Sequence, residues 1–227
     1  RVVSEVHADL GIAHDGDADR AIFVDDTGAF VPGDKSLAVL AQGALAHRGG
    51  TVVTPLSTSK LIEDVVTQAG GTVIRTRVGS PIVARTMFDQ GATFGGEENG
   101  GVIFPDHQFC RDGAMAVAKM LELLAHSGRP LSAILAALPQ YYIRKANIPV
   151  PIEKRDAVLR GIVALTKGRA VDTTDGVKIL QADGAVLLRP SGTEAIFRVY
   201  AEGRTPERAE AFLDEGATLI KKALSHA

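Results

Sequence analysis

The sequence predicts an α/β domain that is followed by a smaller α+β domain with antiparallel strands. Over residues 34–140, strand-like runs of about five residues alternate with helix-like stretches of about ten to fifteen, which is typical of βαβ units and a mostly parallel sheet. From residue 141 onward, an Asp-Gly turn at 183–184 separates two alternating apolar runs and indicates an antiparallel hairpin. A shorter stretch, residues 10–33, precedes both domains and is typical of a β-meander.

Apolar residues at helical spacing, with glycine or proline at the boundaries, place the elements of the first domain. A helix over residues 37–45 is expected to stop near Gly49 and Gly50, and a second helix over residues 61–69 is expected to end at Gly70 and Gly71. Further helices are expected at residues 81–90 and 112–126. The expected strands are residues 51–54, 72–76 and 92–94.

The second domain has a different order of elements. A strand over residues 143–150 and a helix over 153–165 come first, followed by the hairpin of residues 177–180 and 185–188. A strand over 195–201 comes next. The sequence Thr205-Pro206-Glu207 then opens a last helix, because proline is favoured in the first turn of a helix.

Composition limits the partners of this chain. The formal net charge of the 227 residues is −2, which argues against a broad basic surface for nucleic acid or anionic lipid. The single cysteine, Cys110, cannot form an intramolecular disulfide, and no apolar window has the length of a membrane span. We therefore expect a cytoplasmic protein without nucleic-acid or membrane partners. The chain opens at Arg1-Val2-Val3, which predicts that it starts within a longer protein.

Residues 15–20, Asp-Gly-Asp-Ala-Asp-Arg, form what we call the acidic loop. In an extended stretch every second side chain projects to the same side, so the carboxylates of Asp15, Asp17 and Asp19 are expected to converge. An oxygen-only ligand set favours a hard cation, and Mg²⁺ is the expected one in phosphate chemistry. Arg20 adds a forked donor for a phosphate oxygen. The alternative interpretation is an acidic surface turn.

Residues 95–101 form a glycine-rich segment, the glycine loop, between two short apolar runs. Its four glycines allow a ligand to approach the backbone closely, while Glu97, Glu98 and Asn99 offer acceptors and donors that suit sugar hydroxyls. A plain turn is the alternative interpretation.

Residues 189–194, Arg-Pro-Ser-Gly-Thr-Glu, form what we call the anion loop. The side chain of Arg189, two hydroxyls and the backbone N–H groups around Gly192 make an anion cradle. On the following strand, Arg198 is expected to point away from the apolar face of Phe197 and Val199 and to join the cradle. A plain hairpin turn remains the alternative interpretation.

The order of the three loops resembles the α-D-phosphohexomutase superfamily, which includes phosphoglucomutases, phosphomannomutases and phosphoglucosamine mutases. The acidic loop is similar to the Mg²⁺ loop of that superfamily, residues 96–101 to its sugar-specificity loop, and the anion loop to its phosphate-binding loop. The resemblance extends from Ala8 to the final helix.

The resemblance implies a phosphohexomutase-type mixed α/β domain with a C-terminal α+β domain. Residues 1–33 would be the C-terminal remnant of the second domain and would carry the metal loop. Residues 34–140 would form the third domain, and residues 141–227 the fourth. The missing N-terminal domains of the same protein would be a partner of this chain.

The resemblance also implies an intramolecular phosphotransferase, an isomerase that interconverts hexose 1-phosphate and 6-phosphate through a phosphoserine and a bisphosphate intermediate. Mannose, glucose and glucosamine phosphates are the implied substrates. Mg²⁺ would bind Asp15, Asp17 and Asp19, and Arg20 would steady the phosphoserine. Substrate contacts would come from Glu97, Asn99, Arg189, Ser191, Gly192, Thr193 and Arg198.

Several departures from the superfamily pattern limit what can be carried over, including Ser80 in place of a frequent aspartate and Ala195 in place of a frequent proline. The phosphoserine sequence, typically Thr-Ala-Ser-His-Asn, does not occur in this chain, so the serine would lie outside it and the chain alone is expected to be inactive. Asn99-Gly100-Gly101 stands where many mutases have Ser-Gly-His. A non-catalytic phosphosugar-binding module and, less favoured, a metal-dependent phosphatase are the alternatives.

Overall fold

In the computed structural model, which describes residues 1–46 and 49–227, a short helix and an antiparallel meander come first. The helix is α1 (Val2–Val6), and the strands are β1 (Gly11–His14), β2 (Ala21–Val24) and β3 (Phe30–Val31). Strand β2 lies between the other two and pairs with both in antiparallel register. The meander that the sequence predicts is therefore present, and the acidic loop connects β1 to β2.

A mixed four-stranded sheet follows. Its order is β5-β4-β6-β7, in which β4 pairs in parallel with β5 and β6, and only β7 runs antiparallel. The strands are β4 (Thr51–Pro55), β5 (Thr72–Thr76), β6 (Phe94–Gly96) and β7 (Val102–Ile103). The helices are α2 (Gly33–Leu45), α3 (Leu61–Gln68), α4 (Ser80–Gln90), α5 (Gly113–Ser127) and α6 (Leu131–Ala136).

Most boundaries in this part lie within two residues of the predicted ones. Strand β6 begins at Phe94 rather than residue 92, because Phe94 and Gly95 are the residues that pair with β4. The glycine loop therefore starts inside a strand. Helix α2 ends at Leu45, and residues 47 and 48, which precede the predicted stop near Gly49, lie outside the described residues.

The second part of the chain is an antiparallel sheet with two helices packed on it. The sheet order is β8-β12-β11-β10-β9. Its strands are β8 (Tyr142–Pro149), β9 (Val171–Asp172), β10 (Val177–Gln181), β11 (Gly184–Pro190) and β12 (Ile196–Gly203), and its helices are α7 (Arg155–Leu165), preceded by a short 3₁₀ turn (Ile152–Lys154), and α8 (Pro206–Leu224). The predicted hairpin is present, and Gln181 pairs with Gly184 across a two-residue turn.

The alternation of β12 determines where Arg198 lies. Phe197, Val199 and Ala201 are fully buried and pack with residues of α8, including Phe212 and Ile220. Arg198 lies between the first two of these strand residues and projects from the opposite face of the sheet. This orientation is the one that the sequence predicts.

The described residues divide into two compact units, Arg1–Pro139 and Gln140–Ala227. The predicted boundary between residues 140 and 141 lies next to this division. A further boundary at residue 33 stays a prediction, since the meander belongs to the first unit. Among the helices of residues 1–46 and 49–227, none is both long and apolar enough to cross a membrane.

Two leucines of the β10–β11 hairpin provide a matched test of this core. Leu188 on β11 is 0% exposed, whereas Leu180 on β10 is 42% exposed. We expect Leu188→Ala to lower the free energy of unfolding of the second unit by about 2–5 kcal/mol, because it leaves a cavity. Leu180→Ala should lower it by less than about 1 kcal/mol. Urea unfolding followed by circular dichroism measures both, and equal losses would contradict the described packing.

Candidate functional site

The acidic loop brings three carboxylates together through a tight turn. One carboxylate oxygen from each of Asp15, Asp17 and Asp19 lies within 4.8 Å of the other two. The backbone N–H of Ala18 donates to the Asp15 carbonyl at 3.1 Å, and Ala18 has a left-handed conformation with φ of 56°. The predicted convergence is therefore present, but its predicted cause, alternation along an extended strand, is wrong. A turn that begins after His14 brings the side chains together.

Arg20 is bound to the first of these carboxylates. Its Nε donates to Asp15 Oδ2, and its backbone N–H donates to Asp15 Oδ1 at 3.2 Å. Partial burial raises the pKa of the Asp15 carboxyl, but the hydrogen bonds and charge of Arg20 lower it by more, so this pKa lies below its ordinary value. Asp15 therefore stays ionised at a pH at which an aspartate with an ordinary pKa begins to protonate.

Asp19 has one satisfied and one unsatisfied oxygen. Its Oδ2 forms an ion pair with Nη2 of Arg111. Its Oδ1 is buried and, within the described part of the chain, accepts no hydrogen bond, although Nε of Arg20 lies 3.5 Å away. A buried carboxylate oxygen without a partner is costly. Together with two further carboxylates in reach, it fits a bound cation that prefers oxygen ligands.

The first turn of α5 supports the acidic loop. A methyl group added to Gly113 would lie 2.6 Å from the Ala18 carbonyl oxygen and 2.7 Å from Nδ1 of His14, so only glycine allows this close approach. Nδ1 of His14 also lies 3.0 Å from the Arg20 carbonyl oxygen. Asp112 caps the helix by accepting from the N–H of Met115 at 2.8 Å. The helix start is therefore fixed against the acidic loop.

The three polar residues of the glycine loop have different surroundings. The Glu97 side chain is only 7% exposed, and its Oε2 lies 3.2 Å from Nη1 of Arg111. Glu98 accepts instead from the Ser57 hydroxyl at 3.1 Å. Asn99 is exposed and accepts from the N–H of Gly101 at 3.0 Å. The two predicted sugar contacts therefore differ, because Glu97 is held by the guanidinium group of Arg111 and Asn99 is exposed.

The glycine loop is also joined to the meander. The N–H of Ala21, the first residue of β2, donates to the carbonyl of Gly100 at 3.1 Å. Because the acidic loop ends directly before β2, the two loops lie side by side within the first unit. The structure thus brings together the acidic and glycine loops, which the sequence places far apart.

The anion loop lies in the second unit, between β11 and β12. Arg189 and Arg198 pair directly across these strands, and like charges in such positions repel. Each has a carboxylate partner at 2.6 Å, Asp175 for Arg189 and Glu194 for Arg198. Hydrogen bonds to Glu194 and Tyr200 raise the pKa of the Arg198 guanidinium. The two guanidinium groups are therefore held in place by carboxylates that also balance their charge.

The hydroxyl residues of the anion loop differ in exposure. Ser191 is buried, and its Oγ accepts from the N–H of Glu194 at 3.2 Å. Gly192 and Thr193 are exposed, and no atom lies within 4 Å of the position that a methyl group on Gly192 would take. The tip of the loop is therefore open to a ligand, whereas Ser191 maintains its shape.

Arg111 is a site residue that sequence reasoning missed. It contacts both Asp19 and Glu97, yet it follows the glycine loop in a segment without a recognisable motif. The available signal was its position directly before Asp112 and Gly113, a helix cap and a small residue that place the preceding side chain beside the acidic loop.

Comparison with protein families gives two adjacent matches. Residues 32–142 match the family model described as "Phosphoglucomutase/phosphomannomutase, alpha/beta/alpha domain III". Residues 146–219 match the model described as "Phosphoglucomutase/phosphomannomutase, C-terminal domain". Together the two matches extend over most of the chain.

Individual relatives agree with these matches. A protein of Thermococcus kodakarensis named phosphoglucomutase/phosphomannomutase is 45% identical over 98% of this chain and 49% of its own length. A crystal structure of a phosphoglucomutase/phosphomannomutase family protein from Burkholderia thailandensis has a TM-score of 0.87 at 25% identity, covering 98% of this chain and 48% of its own. The chain therefore spans about half the length of these relatives.

A more distant structure shares the fold. It is the N-acetylphosphoglucosamine mutase of Aspergillus fumigatus, crystallised in complex with GlcNAc-6P and magnesium. Its TM-score is 0.67 at 18% identity, and the match covers 94% of this chain and 48% of that one. At this identity the likeness concerns the fold.

The Asp15–Arg20 pair generates a prediction about acid titration. We expect Arg20→Met to raise the pKa of the Asp15 carboxyl, because partial burial then acts without the opposing hydrogen bond and charge. The stabilisation from this pair is present above the ordinary pKa and is lost as the pH falls through the lowered one. NMR titration of the carboxyl carbons measures the change. Arg85→Met, which removes an arginine from an exposed ion pair with Asp89, is the control and should leave the pKa of Asp15 unchanged. Equal pKa values of Asp15 in wild type and Arg20→Met would show that Arg20 does not lower this pKa.

Proposed function

Because this chain belongs to the phosphoglucomutase/phosphomannomutase family, we propose that it forms the metal- and phosphosugar-binding part of a mutase that interconverts hexose 1-phosphates and 6-phosphates. The observation that carries the proposal is the carboxylate cluster of the acidic loop, in which a buried Asp19 oxygen accepts no hydrogen bond from the described residues and two arginines contact the aspartates. The reaction would proceed through a phosphoserine and a hexose bisphosphate, as in the superfamily that the sequence resembles.

Asp15, Asp17 and Asp19 would hold the Mg²⁺ ion. Their oxygen-only donor set fits this hard cation. The net charge of the surrounding side chains also matches a divalent cation. The three aspartates and Glu97 provide four carboxylates, while Arg20 and Arg111 provide two guanidinium groups. The excess of two negative charges equals the charge of one divalent cation. When bound, Mg²⁺ would supply electrostatic stabilisation of a transferring phosphoryl group.

Arg20 would serve as the donor to the phosphoryl group. Its Nε is bound to Asp15, which holds the planar guanidinium next to the cation site. A guanidinium group presents several N–H donors in one plane and matches the geometry of phosphate oxygens. The serine that carries the phosphoryl group would lie outside this chain.

The glycine and anion loops would bind the substrate. Asn99, which is exposed, and Glu97, which Arg111 orients, would accept and donate hydrogen bonds to the sugar hydroxyls. The tip of the anion loop, with Gly192 and Thr193 exposed beside the paired arginines 189 and 198, would take up a phosphate group. Mannose, glucose and glucosamine phosphates form the proposed substrate class, because they differ at single ring positions.

Comparison of the 227-residue chain with the complete protein encoded by its gene tests this proposal. Both are given glucose 1-phosphate, Mg²⁺ and a trace of glucose 1,6-bisphosphate, and glucose 6-phosphate is measured with a coupled dehydrogenase. We expect turnover by the complete protein and none by the 227-residue chain. Asp17→Asn in the complete protein should lower kcat at least about a hundredfold, since it removes a ligand of the cation that would stabilise the charge of the transition state. Asp9→Asn, in an exposed residue outside the acidic loop, is the control.

Three results would contradict parts of the proposal. Turnover by the 227-residue chain would show that the phosphoryl carrier is not outside it. Sugar-phosphate binding by the complete protein without turnover, repeated with mannose and glucosamine phosphates, would favour a non-catalytic binding module. Steady release of inorganic phosphate from sugar phosphates would favour a metal-dependent phosphatase.

A further inference from the structure

We propose that Arg111 is a positioning residue that joins the acidic loop to the glycine loop, so that cation binding and sugar binding both depend on one guanidinium group. This inference rests on the proposed function, because it assigns a role within the same site. Arg111 lies outside all three loops that the sequence singles out.

Arg111 contacts one carboxylate in each of the two loops. Its Nη2 pairs with Asp19 Oδ2, and its Nη1 lies 3.2 Å from Glu97 Oε2. The three side chains are 21%, 23% and 7% exposed, so the bridge is largely withdrawn from water. A guanidinium group can contact two carboxylates at once with fixed geometry, whereas the ammonium group of lysine is a point charge.

The absence of a side chain at position 101 makes room for this bridge. A methyl group on Gly101 would overlap Cδ of Arg111 and would lie 3.2 Å from its Cγ. The stem of Arg111 therefore passes over Gly101 on its way to the carboxylates.

The backbone around Arg111 is fixed on its C-terminal side. The N–H of Asp112 donates to the carbonyl of Val102, the first residue of β7, at 3.0 Å. The Asp112 carboxylate caps α5 and also accepts from Gln108 at 2.7 Å. Because these contacts hold the segment beside the glycine loop, the Arg111 side chain starts from a defined position.

Removal of Arg111 would leave two partly buried carboxylates without their shared cation. Glu97 would lose its ion-pair partner in a site with little water, and Asp19 would lose the group that fixes its Oδ2. Breaking one side of a buried ion pair is costly because the other charge remains buried. Both loops would then populate other conformations. This loss of order would weaken the binding of both ligands by more than removal of the positive charge strengthens the attraction of the cation.

Two probes on the intact 227-residue chain test the inference: Mn²⁺ alone and glucose 1,6-bisphosphate, each by titration calorimetry. We expect Arg111→Met to weaken the binding of both probes by about tenfold or more. Arg111→Lys should recover only part of this loss, since an ammonium group lacks the planar fork of donors that contacts two carboxylates with fixed geometry. Arg85→Met, which removes an arginine from an exposed pair on α4, is the matched control and should leave both affinities unchanged.

A mutant cycle separates positioning from a general loss of structure. Gly101→Ala should weaken bisphosphate binding by about tenfold in the wild-type background, because its methyl group displaces Arg111. The same change should have little further effect in Arg111→Ala. Thermal unfolding of every variant identifies those that fail to fold. If Arg111→Met fails to fold, Arg111→Lys and the mutant cycle test the inference in its place.

The results distinguish this inference from the proposed function. If the wild-type chain binds neither probe, the inference and the proposed function are both wrong. If the wild-type chain binds both probes and folded Arg111→Met keeps either affinity, the inference alone is overturned. Additive effects of the Gly101 and Arg111 changes would also overturn it.

Discussion

Mutual repulsion among the carboxylates of the acidic loop is the constraint on which the rest of the site depends. Three carboxylate oxygens lie within 4.8 Å of one another, and Oδ1 of Asp19 is buried and accepts no hydrogen bond from the described residues. Such an arrangement persists only if positive charge surrounds it. Arg20 contributes this charge from within the loop and Arg111 from a later segment. Counted together with Glu97, which also contacts Arg111, the carboxylates exceed these two arginines by two negative charges.

The fold maintains this arrangement through backbone contacts around the loop. A left-handed Ala18 closes the turn, and the side-chain-free Gly113 lets α5 begin against it. The hydrogen bond from the N–H of Ala21 to the carbonyl of Gly100 connects the meander to the glycine loop, so the glycine loop lies beside the acidic loop. The meander belongs to the same compact unit as the mixed sheet, and the carboxylate cluster lies where these two parts are joined.

The fold and the family could be predicted from the sequence, since strand and helix periodicity, the turn at Asp183 and three ordered loops are local signals. The family assignment is confirmed, and so is the α/β domain with a following antiparallel α+β domain. Local signals could not reveal that Ala18 is left-handed or that Arg111 reaches Asp19, because both depend on tertiary packing. Helix α6 was also missed, although its Ser132 binds Asp26 through both N–H and hydroxyl.

The number of Mn²⁺ ions bound by the 227-residue chain tests the central claim most directly. Electron paramagnetic resonance of free Mn²⁺ in a titration of wild type, Asp17→Asn and the exposed control Asp9→Asn gives this stoichiometry. The charge balance of the acidic loop predicts one ion per chain in wild type and control, and none in folded Asp17→Asn at the same concentrations. No bound ion in wild type, or the same binding in Asp17→Asn, would contradict it.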